Sequence, residues 1–214
     1  MQFMSPAAAG AVTNTGMKRL VSILMAAIAT HAMAGDIDFV PEFRTFREEG
    51  GEIRRLKFAG ANEDHHLTLD EDVGVQKLPN GARFTFRKVP RAIFEIQPST
   101  VGKDRPISPE SRNTYYKAAT EALPPNASDV KLLEEVPSPH PINAWKSHRF
   151  VFSYLQSGES YRVAVTFITL SEGPQIMLIT SAPGDDYENG ISRSDSLLRS
   201  WYTVRHGESP GQAN

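Results

Sequence analysis

The fold is decided by residues 147–204, SHRFVFSYLQSGESYRVAVTFITLSEGPQIMLITSAPGDDYENGISRSDSLLRSWYTV. Three segments of this stretch, 148–156, 161–170 and 174–181, have the length and the apolar content of β-strands. The connections between them are short, and short connections join antiparallel neighbours. The stretch therefore predicts a three-stranded antiparallel meander.

Both faces of the predicted strands are apolar. In the first strand Phe150 and Phe152 share one face and Val151 lies on the other, and in the second strand Val163 and Ala164 lie on opposite faces. Strands that are apolar on both faces have to be covered on both. We therefore expect the sheet to lie between two layers.

Two helices are predicted to supply these layers. One spans about residues 185–202, and its apolar residues recur at helical spacing on one face. These residues are Tyr187, Ile191, Leu198 and Trp201. The other begins at Ser108, a favourable N-cap followed by a proline, and ends before Pro124. The predicted fold class is α+β, with an antiparallel β-sheet covered by helices as an α/β/α sandwich.

A hairpin is predicted upstream of the first helix, because two segments alternate between apolar and polar residues. Phe84 and Phe86 share one face of the first segment, and Phe94 and Ile96 share one face of the second, after a turn at residues 89–91. The polar side of the hairpin carries a basic strip, made of Arg83, Arg87, Lys88 and Arg91. The strip is either a contact for an acidic partner or the wet side of the hairpin, and we interpret it as the wet side.

The order of these elements resembles the α/β/α sandwich shared by PsbP, the extrinsic subunit of photosystem II, and by a Ran-binding nuclear import factor. The similarity covers about residues 82–204 and depends on the pattern around Gly158, around Gly173 and in the closing stretch LLRSW, 197–201. Small secreted bacterial proteins of unknown function also look like members of this PsbP-like superfamily. No position here matches a functional residue of the family. The resemblance implies a binding or assembly module and not an enzyme.

The N-terminal residues have the pattern of a secretory signal peptide. Lys18 and Arg19 precede an apolar run, 20–29, and an A-x-A cleavage signal, 32–34. We predict cleavage between Ala34 and Gly35, a periplasmic or secreted location, and no stable membrane span after cleavage, since a span needs roughly 20 residues. The predicted organisation is a signal peptide, with an N-terminal extension if translation starts at Met1 or Met4 and not at Met17 (1–34), a single α+β domain (35–205) and a flexible C-terminal tail (206–214).

Composition excludes several kinds of function. The chain has no cysteine, so it has no disulfide, thiolate metal site or thiol chemistry. Its net charge is −2 and its pI is near 6.3. Nucleic-acid binding normally requires a basic face and a high pI, so nucleic acid is not an expected partner.

The candidate metal ligands are Asp64, His65 and His66, in a polar stretch predicted to be a surface loop, 62–66. Zinc needs three or four converging ligands. Adjacent residues of a strand point to opposite faces, so His65 and His66 do not easily share one ion. We interpret the stretch as a solvated polar loop and predict no cofactor.

The candidate ligand-binding residues are Trp145, His148 and Arg149. One interpretation is a pocket with an aromatic wall and a cationic rim, near His140 as well. The other is an aromatic side chain that packs where the chain enters the sheet, and we favour this second interpretation.

No catalytic signature is present, and the G-x-S-x-G nucleophile motif is absent. The leading hypothesis is a non-catalytic binding or assembly module whose partner is an unknown protein or small ligand of the cell envelope. One alternative is an extracytoplasmic hydrolase that uses carboxylates or a weakly bound metal near His65. Another is a small-ligand carrier with its pocket beside Trp145.

Overall fold

The computed structural model describes residues 37–48, 51–101, 107–139, 145–170 and 175–207. The predicted signal peptide and its cleavage site, His140, the connection 171–173 and the tail from residue 208 lie outside these residues. The strands are β1 (Ile37–Glu48), β2 (Gly51–Gly60), β3 (Glu63–Leu69), β4 (Val73–Leu78), β5 (Gly81–Phe86), β6 (Val89–Pro98), β7 (Ser128–Pro137), β8 (Lys146–Gln156), β9 (Glu159–Thr169), β10 (Gln175–Pro183) and β11 (Tyr202–Arg205). The helices are α1 (Arg112–Glu121) and α2 (Tyr187–Leu198).

The predicted meander is confirmed as β8, β9 and β10, which lie within a seven-stranded antiparallel sheet. The strand order is β4-β5-β6-β10-β9-β8-β7. The predicted hairpin is β5–β6, and β6 joins it to the meander by pairing with β10. Its turn lies at Arg87 and Lys88 and not at residues 89–91, because Phe86 pairs with Val89 and the β6 strand has already begun.

The two faces of this sheet are buried in two separate apolar clusters. Phe150 and Phe152 pack with α1, through residues such as Tyr115, whose ring is 5.0 Å from that of Phe167. Val151 lies in the other cluster, with the buried residues of α2. The α+β class and the packing of one helix against each face of the sheet are confirmed.

Helix α1 begins later than the sequence indicated. Ser111 is its N-cap, and Ser108 lies in the preceding turn, where its carbonyl accepts bonds from the Ser111 N–H and Oγ–H at 3.2 and 3.1 Å. Pro109 is therefore part of the turn and not the first helical residue. The apolar face of the helix is as predicted, since Tyr115, Ala118 and Ala119 are buried.

Helix α2 packs directly on β6 and β10. A Cβ on Gly190 would lie 2.8 Å from the Ala92 Cβ and 3.7 Å from the Ala182 Cβ, so the small residue permits the close approach. The predicted end of this helix, at residue 202, is wrong. The helix ends at Leu198, and Trp201 still reaches the core after a turn.

The residues after α2 form β11, which belongs to a second antiparallel sheet of order β1-β2-β3-β11. Ser200 fixes this arrangement, because its Oγ accepts a bond from the Thr68 N–H at 3.0 Å and lies 3.1 Å from the Thr68 carbonyl. The sequence did not separate the second sheet from the first. Within the described part of the chain, no helix is long and apolar enough to cross a membrane.

Candidate ligand-binding groove

Helix α1 is too short to cover its face of the seven-stranded sheet. Its ten residues extend about 15 Å, whereas seven strands extend about 29 Å from edge to edge. The uncovered part of the face forms a concavity of about 660 Å³ beside the C-terminal end of the helix. We call this concavity the α1-side groove. It is lined by side chains of β5, β6, β8, β9 and β10 and by residues 122–125 after the helix.

The floor of the groove changes from polar to apolar across the sheet. Strand register aligns Arg83 of β5 with Glu95 of β6 and with Ile179 of β10. Met177 and Val163 continue the floor on β10 and β9, and both are almost fully buried. The polar end therefore lies on the outer strands β5 and β6, and the apolar end lies beside the end of α1.

The polar end is a preformed hydrogen-bond network. The Arg83 Nε–H donates to Glu95 Oε1 at 2.7 Å, and the Gln97 Nε2–H donates to Glu95 Oε2 at 2.6 Å. Both carboxylate oxygens of Glu95 are thus engaged, and only 14% of its side chain is exposed. The Arg83 side chain is 39% exposed, and among the described residues its guanidinium bonds only through Nε. Its terminal N–H groups remain available for a ligand.

Two tyrosines, on β8 and β9, form one wall of the groove. The rings of Tyr154 and Tyr161 are stacked, with centroids 5.6 Å apart and planes 17° apart. Burial raises the pKa of Tyr154, and a hydrogen bond with Ser181 opposes this shift only in part. The phenol of Tyr154 therefore stays protonated and neutral at physiological pH. At the rim, Arg91 pairs with Glu159, and this hydrogen bond raises the pKa of Arg91.

The sequence candidates Trp145, His148 and Arg149 lie in three different environments. Trp145 is buried with its ring edge-on to Trp201, at 5.9 Å and 89°. Arg149 faces α2, where it bonds to Asp195 at 3.0 Å. His148 faces the α1 side, because adjacent residues of a strand point to opposite faces. The three side chains do not form one pocket.

His148 lines a second concavity, of about 420 Å³, between the start of α1 and strands β7 and β8. Its Nε2 lies 2.8 Å from Glu135, which also accepts two bonds from the Arg112 Nε–H, at 2.8 and 2.9 Å. The hydrogen bond from Arg112 is the main reason that the pKa of Glu135 is lowered, so this carboxylate is ionised. His148 Nε2 is then the donor. The trio therefore links α1 to strands β7 and β8.

The candidates His65 and His66 lie on β3, and the prediction of a solvated loop at 62–66 is wrong. His65 points inward and is 2% exposed, and its Nδ1 accepts a bond from Trp201 Nε1–H at 3.3 Å. Glu63, two residues earlier, is also buried. These two polar residues occupy inward positions that are normally apolar. The sequence of β3 therefore lacks the alternation of apolar and polar residues that identifies a strand.

His66 and Asp64 point outward from the same strand. The His66 ring stacks on that of Tyr202, at 5.0 Å and 12°, and burial lowers the pKa of His66. Burial alone would raise the pKa of Asp64, but bonds from His206 and Lys57 bring it below its usual range. The opposite directions of His65 and His66 agree with the strand geometry that argued against a shared ion.

Two further features bear on function. No group of three or more His, Asp or Glu side chains in the described ranges is arranged to hold a metal ion. The edge strand β7 exposes three apolar residues, Val130, Leu132 and Leu133. Its pairing with β8 has two register irregularities, and such bulges limit edge-to-edge association of sheets.

The groove residues were not assigned a function from the sequence. The interpretation of Arg83 and Arg91 as the wet side of a hairpin agrees with their exposure, since their side chains are 39% and 50% exposed. The missing information was that β6 pairs with β10, which places Ile179 next to Glu95. Within β6, the half-buried Ile93 on the polar face is a local signal of an apolar floor.

No protein-family model matches the sequence, and no curated protein matches it. Solved structures similar to this chain include the Ran-binding protein Mog1p of Saccharomyces cerevisiae, at 8% identity and a TM-score of 0.43, over 76% of this chain and 95% of Mog1p. The PsbP protein CyanoP of Synechocystis is similar at 10% identity and a TM-score of 0.40, over 84% of this chain and 99% of CyanoP. The protein of unknown function PA94 of Pseudomonas aeruginosa is similar at 12% identity and a TM-score of 0.41, over 74% of this chain and 95% of PA94. The expected similarity to PsbP and to a Ran-binding protein is confirmed, and it concerns the fold alone.

Proposed function

We propose that this protein is a non-catalytic, extracytoplasmic binding module that holds a small ligand in the α1-side groove. The observation that carries the proposal is the groove itself, about 660 Å³ of preformed space with an apolar floor and one hydrogen-bonding end. Small-molecule sites are typically concavities of roughly 300–1,000 Å³ with few, precisely placed polar groups. The signal-peptide pattern at residues 1–34 supports the location.

The chemistry of the lining supports binding and not catalysis. Among the described residues that line the groove there is no histidine, and Glu95 is the only carboxylate. Both oxygens of Glu95 already accept hydrogen bonds, from Arg83 and Gln97. These two bonds hold the Glu95 carboxylate between two neighbouring side chains of the sheet, which supports a structural role for it.

The proposal is tested with an uncharged, environment-sensitive probe, N-phenylnaphthylamine, titrated into the purified protein and followed by fluorescence. We expect saturable binding at one site per chain. Ile179→Trp fills the floor of the groove and is expected to abolish binding. Leu133→Trp is the matched control, because it adds a tryptophan at a position of β7 that is 51% exposed and distant from the groove lining.

Two results would contradict the proposal. One is the absence of saturable binding to the wild-type protein. The other is equal binding by the wild-type protein and the Ile179→Trp variant, provided that both unfold at the same urea concentration.

A further inference from the structure

We infer that the ligand of the α1-side groove is an amphiphilic carboxylate, with its apolar body on β9 and β10 and its carboxylate at Arg83. This inference rests on the proposed function and specifies the ligand class for the same site. The two ends of the groove carry different chemistry, and each end constrains one part of the ligand.

The apolar end selects the body of the ligand. Met177 and Val163 form the floor there, Ile179 continues it, and Leu123 and Pro124 form the wall at the end of α1. None of these side chains donates or accepts a hydrogen bond, so a polar group placed among them would lose its bonds to water without replacement. The part of the ligand under the end of α1 is therefore apolar.

The polar end selects the head group. The Arg83 guanidinium is a planar fork of five N–H donors, and the described residues use only its Nε. Two parallel terminal N–H groups match the geometry of a carboxylate, which forms the strongest bonds of this kind. An uncharged hydroxyl head would form weaker, neutral-acceptor bonds with the same donors.

The free hydrogen-bonding groups at this end favour an anionic head over a cationic one. Arg83 pairs with Glu95 and Arg91 pairs with Glu159, so the charges of these four side chains balance. The carboxylate of Glu95 is already held by Arg83 and Gln97, whereas the terminal N–H groups of Arg83 have no partner among the described residues. The unengaged groups at this end are donors.

The distance between the two ends fixes the size of the ligand. Strand β5, which carries Arg83, is separated from β9, which carries Val163, by three strand spacings, through β6 and β10. This separation is about 14 Å. A straight aliphatic acid of about that length reaches from Arg83 to the end of α1.

Calorimetric titration with three probes of equal chain length tests the inference. The probes are dodecanoate and dodecylammonium, each below its critical micelle concentration, and dodecanol, below its solubility limit. We expect dodecanoate to bind the wild-type protein at least about tenfold more tightly than dodecanol, a difference of about 1.4 kcal/mol, because a charge-assisted hydrogen bond is stronger than a neutral one. Dodecylammonium is expected to bind more weakly than dodecanol.

Two variants are expected to change dodecanoate affinity in opposite directions, and together they separate ligand recognition from a structural effect. Arg83→Gln is expected to reduce dodecanoate affinity about tenfold and to leave dodecanol affinity unchanged within about twofold. Glu95→Gln removes the competing carboxylate, so dodecanoate affinity is expected to rise. Arg87→Gln is the matched control, because Arg87 is an exposed arginine of the adjacent turn that does not line the groove.

The outcomes distinguish this inference from the proposed function. If dodecanoate and dodecanol bind equally, and Arg83→Gln changes neither, the carboxylate assignment is overturned while groove binding stands. If the effect of Arg83→Gln is the same for both probes, Arg83 has a structural role and the assignment is likewise overturned. If none of the three probes binds and N-phenylnaphthylamine does not bind either, both this inference and the proposed function are overturned.

Discussion

Trp201 Nε1–H donates a hydrogen bond to His65 Nδ1 at 3.3 Å. Both side chains are buried, and the two residues are 136 positions apart in the sequence. Because Nδ1 is the acceptor, the ring hydrogen of His65 lies on Nε2. The indole also contacts Phe58 and Trp145, with ring centroids 6.2 and 5.9 Å away. This contact attaches the residues that follow α2 to the second sheet.

The first prediction concerns the stability of this contact. Trp201→Ala is expected to lower the free energy of unfolding by about 3–5 kcal/mol, because it leaves a large cavity among buried rings. Trp201→Phe keeps much of the buried ring and loses the bond to His65, so we expect a smaller loss, about 1–2 kcal/mol. Urea denaturation measures both. If Trp201→Ala lowers the free energy of unfolding by less than about 1 kcal/mol, the indole does not attach the residues after α2 to the second sheet.

The same contact shows what the sequence could predict and what it could not. The burial of Trp201 followed from its spacing to Leu198, although the residues after the helix turned out to form a strand. The strand that contains His65 was missed, because inward polar residues at Glu63 and His65 break the alternation that identifies strands. Their burial depends on partners distant in sequence, such as Trp201 for His65, which a local pattern does not contain.

The second prediction is a dependence on pH due to His66. Burial holds its pKa below the usual 6.5, so the unfolded chain takes up a proton at a higher pH than the folded chain. The free energy of unfolding therefore decreases as the pH falls below 6.5, the pKa of the unfolded chain. The decrease ends once the pH is below the pKa of His66 in the folded protein. We expect the free energy of unfolding of His66→Gln to fall less than that of the wild-type protein between about pH 7.5 and 5.5.

The control for this prediction is His206→Gln, which keeps His66 and should keep the decrease. Urea denaturation at several pH values provides the measurement. An identical pH dependence in the wild-type protein and His66→Gln would show that His66 is not the cause.

The third prediction concerns the contact between α1 and the β7 edge. The pKa of Glu135 is lowered mainly by its bond from Arg112, so the carboxylate stabilises the fold above its usual 4.5 and loses this effect as the pH falls through the folded pKa. Glu135→Gln is expected to lower the urea midpoint at pH about 7, and the difference from the wild-type protein is expected to shrink as the pH falls below 4.5. The neighbouring exposed residue gives the control Glu134→Gln, which should change neither midpoint. Equal effects of the two variants would refute the assignment.

The fourth prediction concerns the leader. When the full chain is expressed in a bacterium, intact mass spectrometry of the envelope fraction should find a protein that begins at Gly35. Ala34→Arg removes the small residue at the cleavage signal and should leave the leader attached. A protein recovered only in the cytoplasm and beginning at Met1 or Met17 would contradict the predicted location.

The groove was less accessible to sequence analysis than the fold. Alternation predicted the faces of β5 and β6 correctly, with Phe84 inward and Arg83 outward. Strand order depends on non-local pairing, and the apolar end of the groove exists only because β10 lies next to β6. The length of α1 then decides how much of the face stays open, and the start of α1 was misplaced because Ser108 and Pro109 form a turn before it.

The most direct test of ligand binding in the groove uses Met177. It is the only methionine after residue 33, and it lies in the groove floor. In protein labelled with carbon-13 at methionine methyl groups, we predict that N-phenylnaphthylamine shifts the Met177 signal with the same dissociation constant as the fluorescence change, and that Ile179→Trp abolishes both. A saturable fluorescence change with an unmoved Met177 signal would place the ligand elsewhere and contradict the account.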